Sequence, residues 1–511
     1  MSNLPNGWAT TTLDKVAEWG SGGTPSRKNP KFYDGTIPWI KTGELGSKYI
    51  KGSSEHISED AVRKSSAKIF PVGSVGIAMY GATIGKTSIF GIEASTNQAC
   101  AVAQPHEHAL DHEFLYYFLR SEKQSFIDAG KGGAQPNISQ GVLKEWLIEL
   151  PPLNEQKRIV AKIEQLFSEL DKGVEALKAA KAQLKLYRQA LLKHAFEGNL
   201  TADWREANKD KLETAEALLT RIKTERESRY QQQLDDWKQA VKKWGAGRKE
   251  GKKPVKPKPP QVQSSMVQND QKDLPHGWEW FCVSELCDVV RGGSPRPAGD
   301  KRYYDGDIPF LKVADITRSS SAYLDKFSYT IKKLGLQKTR FVNANTLMIS
   351  NSGATLGVPK ICLIEATFND GIAAFLGLNE SLLLYHYYFW QSKTLSLRNI
   401  NQGAAQPNLN TNIIGETCIP ICSQQEMLCL VEELETNLST VGQMEIDIEA
   451  QLKKSETLRQ SILKKAFSGK LVPQDPSDEP ASKLLERIKA EKAAQAAANK
   501  PTKKKTRRKA S

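Results

Sequence analysis

Cysteine is scarce in this chain and unevenly placed. There are seven in 511 residues, with Cys100 alone in the first half, six between Cys282 and Cys429, and no C-x-x-C pair. That spacing argues against a disulfide framework and against a zinc site, and it fits reduced thiols in a cytoplasmic protein of a bacterium or archaeon. No apolar run approaches the roughly 20 residues needed to cross a bilayer, so no membrane partner is expected. Met1 to Asp14 lacks a basic segment followed by an apolar one, so no secretory signal is expected either. Histidine is also sparse. His106, His108 and His112 cluster, but the matching stretch around 377–384 holds no such group, so they read as a surface helix start rather than a metal site.

Catalytic signatures are missing as well. Pro151-Pro152-Leu153 lacks the leading Asn or Asp that positions a target amine in methyltransferases, and no His-Glu-x-x-His is present. Gly81-Ala82-Thr83-Ile84-Gly85-Lys86-Thr87 falls one residue short of a phosphate-binding loop, because Tyr80 stands where the first glycine belongs. The reading is a structural or DNA-facing turn. No catalytic residue, no metal and no cofactor held by this chain are expected.

Net charge is +14, but it is concentrated. Lys238 to Lys258 holds nine basic residues and one acid, and Lys500 to Ser511 holds seven basic residues and none, which leaves the rest of the chain at about −1. The isoelectric point therefore does not by itself argue for DNA binding. Both basic segments read as solvated ends, able to add weak, salt-sensitive attraction to phosphates.

What the sequence does contain is one unit written twice at an offset of about 270. Leu4-Pro5-Asn6-Gly7-Trp8 returns as Leu274-Pro275-His276-Gly277-Trp278, and Gly22-Gly23-Thr24-Pro25 as Gly292-Gly293-Ser294-Pro295. Tyr33-Asp34-Gly35 returns as Tyr304-Asp305-Gly306, Gly81-Ala82-Thr83 as Gly353-Ala354-Thr355, and Gln135-Pro136-Asn137 as Gln406-Pro407-Asn408. Near the ends of the copies, Arg188 to Phe196 matches Arg459 to Phe467, and Leu218 to Lys223 matches Leu484 to Lys489.

Each copy opens with a mixed module. Ser74–Met79 and Thr346–Ser350 read as strands, while Phe114–Leu119 and Leu382–Trp390 read as short buried helices. The period then changes. Ile163, Leu170, Leu177, Leu184 and Leu191 recur every seven residues, interleaved with Leu166, Gly173, Ala180 and Tyr187. In the second copy Leu434, Val441, Ile448, Ser455 and Ile462 interleave with Val431, Leu438 and Leu452. These are heptad seams of long helices, each needing a partner. The economical one is the other copy, packed antiparallel about a pseudo-two-fold axis.

The fold class is therefore α+β, with two mixed α/β modules, each followed by a long helix, the helices forming an antiparallel coiled coil. The expected boundaries are residues 1–150 (first module), 151–225 (long helix and spacer), 226–273 (basic Lys/Pro-rich linker), 274–418 (second module), 419–495 (second helix and spacer) and 496–511 (basic disordered tail). Within the linker, the stretch from Lys242 to Asp273 reads as flexible and solvated. Trp8 and Trp278 read as core anchors.

This plan resembles the specificity subunits of type I restriction–modification systems. The resemblance rests on the tandem module-plus-helix order, on Leu-Pro-x-Gly-Trp opening each half, and on Gly-Ala-Thr-Ile-Gly, Gln-Pro-Asn and Pro-Pro-Leu-Asn-Glu-Gln. It implies two target recognition domains, each reading half of an asymmetric bipartite site in double-stranded DNA, with the helices setting the spacing. It also implies a chain without catalysis of its own. Two modification subunits would methylate adenine with S-adenosylmethionine, and motor–nuclease restriction subunits would use ATP and Mg2+. The alternative is a coiled-coil adaptor that reads no sequence. Base and phosphate contacts need cations and amides. The candidates are Arg27, Lys28, Lys31, Tyr33 and Lys41, with Tyr80 and Lys86, in the first module. In the second they are Arg296, Lys301, Arg302, Tyr304 and Lys312, with Asn351 and Thr355. Gln135, Asn137, Gln406 and Asn408 are as suited to fixing a turn as to touching DNA.

Overall fold

The computed structural model describes residues 4–130, 137–247, 253–260, 273–353, 355–398 and 409–498. Gln135, Gln406, Asn408 and the basic tail lie outside the described residues. The chain divides into two compact units, Met1–Ala179 with Ile448–Ser511, and Ala180–Asp447.

In the first unit a five-stranded sheet runs in the order Ala17–Ser21, Cys100–Pro105, Val75–Ala78, Thr87–Phe90, Tyr49–Ile50. A four-stranded sheet follows the order His56–Ile57, Ile37–Ile40, Ala94–Thr96, Ile69–Phe70. Ala9–Thr12 pairs with Leu147–Leu150 and so ties the module's start to its end. The helix His112–Ser121, capped by Asp111, buries every residue from Phe114 to Leu119. Gln156 links this helix to the long one. Its carbonyl accepts from Asp111 N (2.9 Å) and its amide donates to Ala109 O (2.8 Å) and Pro151 O (3.0 Å). This gives the Leu-Asn-Glu-Gln phrase a physical role.

The second unit repeats the plan. Its five-stranded sheet follows Asp288–Arg291, Ile372–Leu376, Thr346–Ser350, Pro359–Cys362, Tyr323–Leu324, and its four-stranded sheet Tyr329–Ile331, Tyr304–Leu311, Ala366–Phe368, Arg340–Val342. The buried helix is Leu383–Arg398. Trp8 and Trp278 are buried as anchors at 8% and 5% exposure.

The long helices are Leu153–Phe196 and Gln424–Phe467, 44 residues each, or about 66 Å at 1.5 Å per residue. Within the first unit Ile163 and Phe167 share a core with Ile462, Leu463 and Ala466. Further along, Asp171 pairs with Arg459, whose guanidinium lies 4.6 Å over the Phe167 ring. Within the second unit Arg188 meets Glu445 at 3.1 Å, and Leu191 to Phe196 share a core with Leu430 to Leu438. In each unit rising numbers on one helix meet falling numbers on the other, so the strands of the coil are antiparallel.

The seam differs from expectation at two of its interleaved positions, Gly173, which is exposed, and Tyr187, which is 50% exposed; Ala180 is half-buried as expected, and Leu166 packs partly buried beside the buried Phe167, with Val174 half-buried further on. From Ile163 the stripe advances by four and then three residues rather than three and then four. The large Phe167 side chain thereby takes the inner place and Gly173 faces out.

The spacers dock by related clamps. In the second unit the helix Ala215–Ala246 buries Arg226, which donates to Ser284 O and Glu285 O (2.7 Å each) and to Asp288 (2.6 Å). In the first unit the helix Ala481–Ala498 places Lys492 on Asp14 O (3.3 Å) and Lys15 O (3.5 Å). Just past each long helix a glycine with positive φ, Gly198 or Gly469, accepts a proline from the Leu-Pro turn. A Cβ there would meet the ring of Pro275 or Pro5 at 2.5 or 2.3 Å. Helix continues into the basic stretch as far as Ala246, a few residues past Lys242 where the flexible segment is expected to start, and Trp237 Nε1 donates to Pro254 O (3.1 Å); residues 248–252 and 261–272 of that segment lie outside the described residues.

Candidate nucleic-acid interface

Strand register assembles the candidate loops. In the first module Ser21 pairs with Ala101, Ala78 with Cys100, and Ile77 with Thr87. The Gly22–Pro25 turn, the Asn97–Ala99 turn and the Met79–Lys86 turn therefore sit at one end of the five-stranded sheet. Ile40 lies beside Thr96 in a parallel pair, and its carbonyl accepts from Asn97 N (3.1 Å), which brings Lys41 to the same end. In the second module Arg291 pairs with Ala373 and Ser350 with Ile372, gathering Gly292–Pro295, Asn369–Gly371 and Asn351–Val358 likewise. Each module thus carries a rim of turns at one sheet end.

The glycines of the first turn are required by close packing. A Cβ on Gly22 would lie 2.0 Å from Thr96 O, and one on Gly292 would lie 2.2 Å from Asn369 O. The following tyrosines are framework. The Tyr33 hydroxyl donates to Pro25 O (2.7 Å) and that of Tyr304 to Pro295 O (2.9 Å). Their rings stand edge-on to Trp39 and Phe310, and burial raises both phenol pKa values.

The head groups diverge on this shared frame. Arg27 stacks 4.2 Å over Tyr33 and pairs with Glu55 at 2.6 Å. Lys41 reaches the other Glu55 oxygen at 2.6 Å, and Lys41 and Arg27 together hold that carboxyl below its ordinary range. Arg27, Tyr33 and Glu55 line a cavity of about 340 Å³ with Asp34 and His56. Lys28 and Lys31 are exposed. In the second module Arg296 lies 3.7 Å from Asp370, which also accepts from Ser294 Oγ (2.7 Å). Arg302 is clamped to Asp300 at 2.6 Å, Lys301 is exposed, and Lys312 Nζ lies 3.3 Å over the Tyr329 ring.

At the second turn, Gly81–Thr83 is a 3-10 turn between antiparallel neighbours Val75–Ala78 and Thr87–Phe90. A strand, not a helix, follows it, so no helix N-terminus is offered to a phosphate. Tyr80 is 39% exposed and bridges to Asn137, and Lys86 is half-buried. Asn351 is fully buried and its side-chain amide has no hydrogen-bond partner among the described residues; Thr355 is half-buried and its carbonyl accepts from Ser350 Oγ (2.6 Å). Deeper in the second module Lys360, 3% exposed, donates to Ser319 O (2.7 Å) and Ser321 O, and burial lowers its pKa. Its counterpart Ser88 accepts instead from Gly46 N (2.9 Å).

Sequence reasoning missed Glu55, Gln98, Asp370 and Tyr329. Gln98, which bonds Thr24, and Asp370, which bonds Ser294, follow a shared asparagine, Asn97 or Asn369, and that repeat was a usable signal. Glu55 and Tyr329 lie in segments without a matching phrase.

The family profile described as Type I restriction modification DNA specificity domain matches residues 5–179 and again 275–455. The chain belongs to that family. DNA sequence recognition within a restriction–modification system is accordingly its role. Across 485 residues it is 23% identical to the type I restriction enzyme MjaIX specificity subunit of Methanocaldococcus jannaschii, covering 92% of this chain and 95% of that one. It is 23% identical to the EcoDI specificity subunit of Escherichia coli, covering 96% of each. A match to the Escherichia coli EcoR124I/EcoR124II specificity subunit reaches 30% over 190 residues, 35% of this chain and 47% of that one. The fold is similar to a solved structure concerning complex assembly and conformational transition of the type I R-M system. That match is 19% identical with TM-score 0.62 and covers 92% of this chain and 99% of the other. The HsdS subunit of Thermoanaerobacter tengcongensis is similar at 19% identity and TM-score 0.53, covering 91% and 98%. Among the described residues no helix is long and apolar enough to cross a membrane.

Proposed function

We propose that each rim reads one half of an asymmetric bipartite site in double-stranded DNA and that the paired long helices set the spacing between halves. The observation that carries this reading is the divergence of head groups on a duplicated frame. Arg27, Glu55 and Lys41 in one copy have as counterparts Arg296 with Asp370 and Lys312 with Tyr329 in the other. Ion pairing and stacking hold these side chains in place before DNA arrives, which lowers the ordering cost of a base or phosphate contact. The chain acts without catalysis of its own, in the cytoplasm. It directs two modification subunits that use S-adenosylmethionine to methylate adenine, and motor–nuclease subunits that use ATP and Mg2+.

Methylome sequencing of cells carrying the whole system tests this. A bipartite methyladenine motif that vanishes when this chain is deleted supports it; methylation without such a motif would leave a coiled-coil adaptor. Exchanging residues 1–150 for another member's module changes one half of the motif only, and a change in both halves refutes the division of labour. Inserting one helical turn, about 5.4 Å, in both long helices shifts the halves by one to two base pairs.

A further inference from the structure

The helix Ala215–Ala246 continues well past the Arg226 clamp that docks it on the second module. Along this extension Tyr230, Leu234, Trp237, Val241 and Trp244 form a partly buried stripe with the spacing of a helix face. The segment 253–260 packs against this stripe. Trp237 Nε1 donates to Pro254 O at 3.1 Å, and Lys256 Nζ lies 5.9 Å over the Trp237 ring. In this segment Pro254, Pro257 and Pro260 are half-buried while the residues between them are exposed. The helix and this segment pack together as one arm, with Pro254, Pro257 and Pro260 on its covered side and Pro259 exposed.

Its outer side is basic. Lys242, Lys243, Lys253, Lys256 and Lys258 are exposed, and among the described residues none pairs with a carboxylate. The counterpart helix Ala481–Ala498 ends in an alanine-rich run without this aromatic stripe. Apart from this region and the C-terminal tail, the chain is close to neutral.

We propose that this arm is a phosphate-binding prong that lies against duplex DNA beside the site read by the second module. Its exposed lysines, free of carboxylate partners among the described residues, supply the charge complementarity that a phosphate backbone meets. The prong adds affinity without sequence information. The inference takes DNA as the ligand from the proposed function but does not depend on which bases are read.

The test uses the full chain co-purified with its modification subunit and anisotropy of labelled duplexes over a salt series. K242Q/K243Q/K253Q/K256Q/K258Q is compared with wild type and with the same five positions changed to Arg. The expected result for the Gln set is a shallower dependence of log K on log salt, by about 0.9 for each lysine that meets a phosphate. Affinity for random and for site-bearing duplex falls by the same factor, and the Arg set restores both. An unchanged slope in the Gln set overturns the proposal. Loss of the modification subunit on purification with an unchanged slope also overturns it and assigns the surface to a protein partner. If wild type shows no sequence preference at all, the recognition reading fails while the slope difference on random duplex still decides the prong.

Discussion

The two copies place a buried glutamate at the same position, yet its two environments predict opposite responses to neutralisation. Glu426, 1% exposed, accepts from Arg205 Nε at 2.8 Å and from Thr201 Oγ1 at 2.7 Å. Arg205 in turn lies 5.4 Å over the Trp278 ring, so the carboxylate, the guanidinium and the anchor tryptophan form one assembly. Glu155, also 1% exposed, accepts from Trp8 Nε1 at 3.0 Å, and the nearby Arg158 is engaged with Asp478 at 2.6 Å. Burial raises the Glu155 pKa above its ordinary value, against the Trp8 hydrogen bond and the Arg158 charge that lower it. A carboxyl whose folded pKa lies above its unfolded one binds more protons when folded, so its contribution to stability falls as pH rises through that interval. E155Q retains an acceptor for Trp8 and removes the buried charge. It leaves the first unit as stable or more stable at pH 7 and flattens its pH dependence just above the usual carboxylate range. E426Q weakens a hydrogen bond between charged groups and leaves Arg205 undercompensated, at a cost of about 2 kcal/mol. For a unit of this size that is about 4–8 °C in Tm. Hydrogen exchange resolves the units, with peptides around Trp8–Val16 reporting one and Trp278–Leu286 the other. Loss of protection at both sites by similar amounts would refute the reasoning, since it would make both glutamates simple packing residues.

Arg226→Ala leaves Ser284 O, Glu285 O and Asp288 without their donor and destabilises the second unit by about 3 kcal/mol, whereas Lys, which stands at the matching position 492, recovers part of it; chemical unfolding measures both. His386 is buried and desolvation lowers its pKa to about 4. Its unfolded form takes up a proton first on acidification, so stability falls between about pH 6.5 and 4, and H386L, with leucine as at the matching Leu115, removes that slope in a pH series of unfolding curves. Glu55→Gln releases Arg27 and Lys41 from their shared carboxylate. Affinity for random duplex rises and discrimination at the first half-site falls in competition binding, and an unchanged pattern would remove Glu55 from the reading site.

Much of the architecture could be read from the chain because duplication repeats a local code. Turn glycines, a seven-residue apolar period and aromatic-rich buried helices each follow from short-range chemistry, and finding each twice settled their order. The inner face of the first coil was harder, because Leu166 and Phe167 are adjacent and either fits a heptad; side-chain volume decided it, with Phe167 buried against the partner helix. The basic stretch was legible only in part for a related reason. Lysine and proline look like solvated linker by composition, but Pro254, Pro257 and Pro260 are half-buried, and Trp237 supplies a donor for Pro254. The reading rim was legible only in part. Arg27 and Lys41 stand out as cations near a turn, but Glu55, which holds both, comes from another strand and carries no local signature. A rim whose frame is conserved between copies and whose head groups are held by partners distant in sequence can change its specificity by changing the partner alone. On the proposed reading, the determinants of base choice would then include acids such as Glu55 and Asp370 and rings such as Tyr329, alongside the cations of the rim.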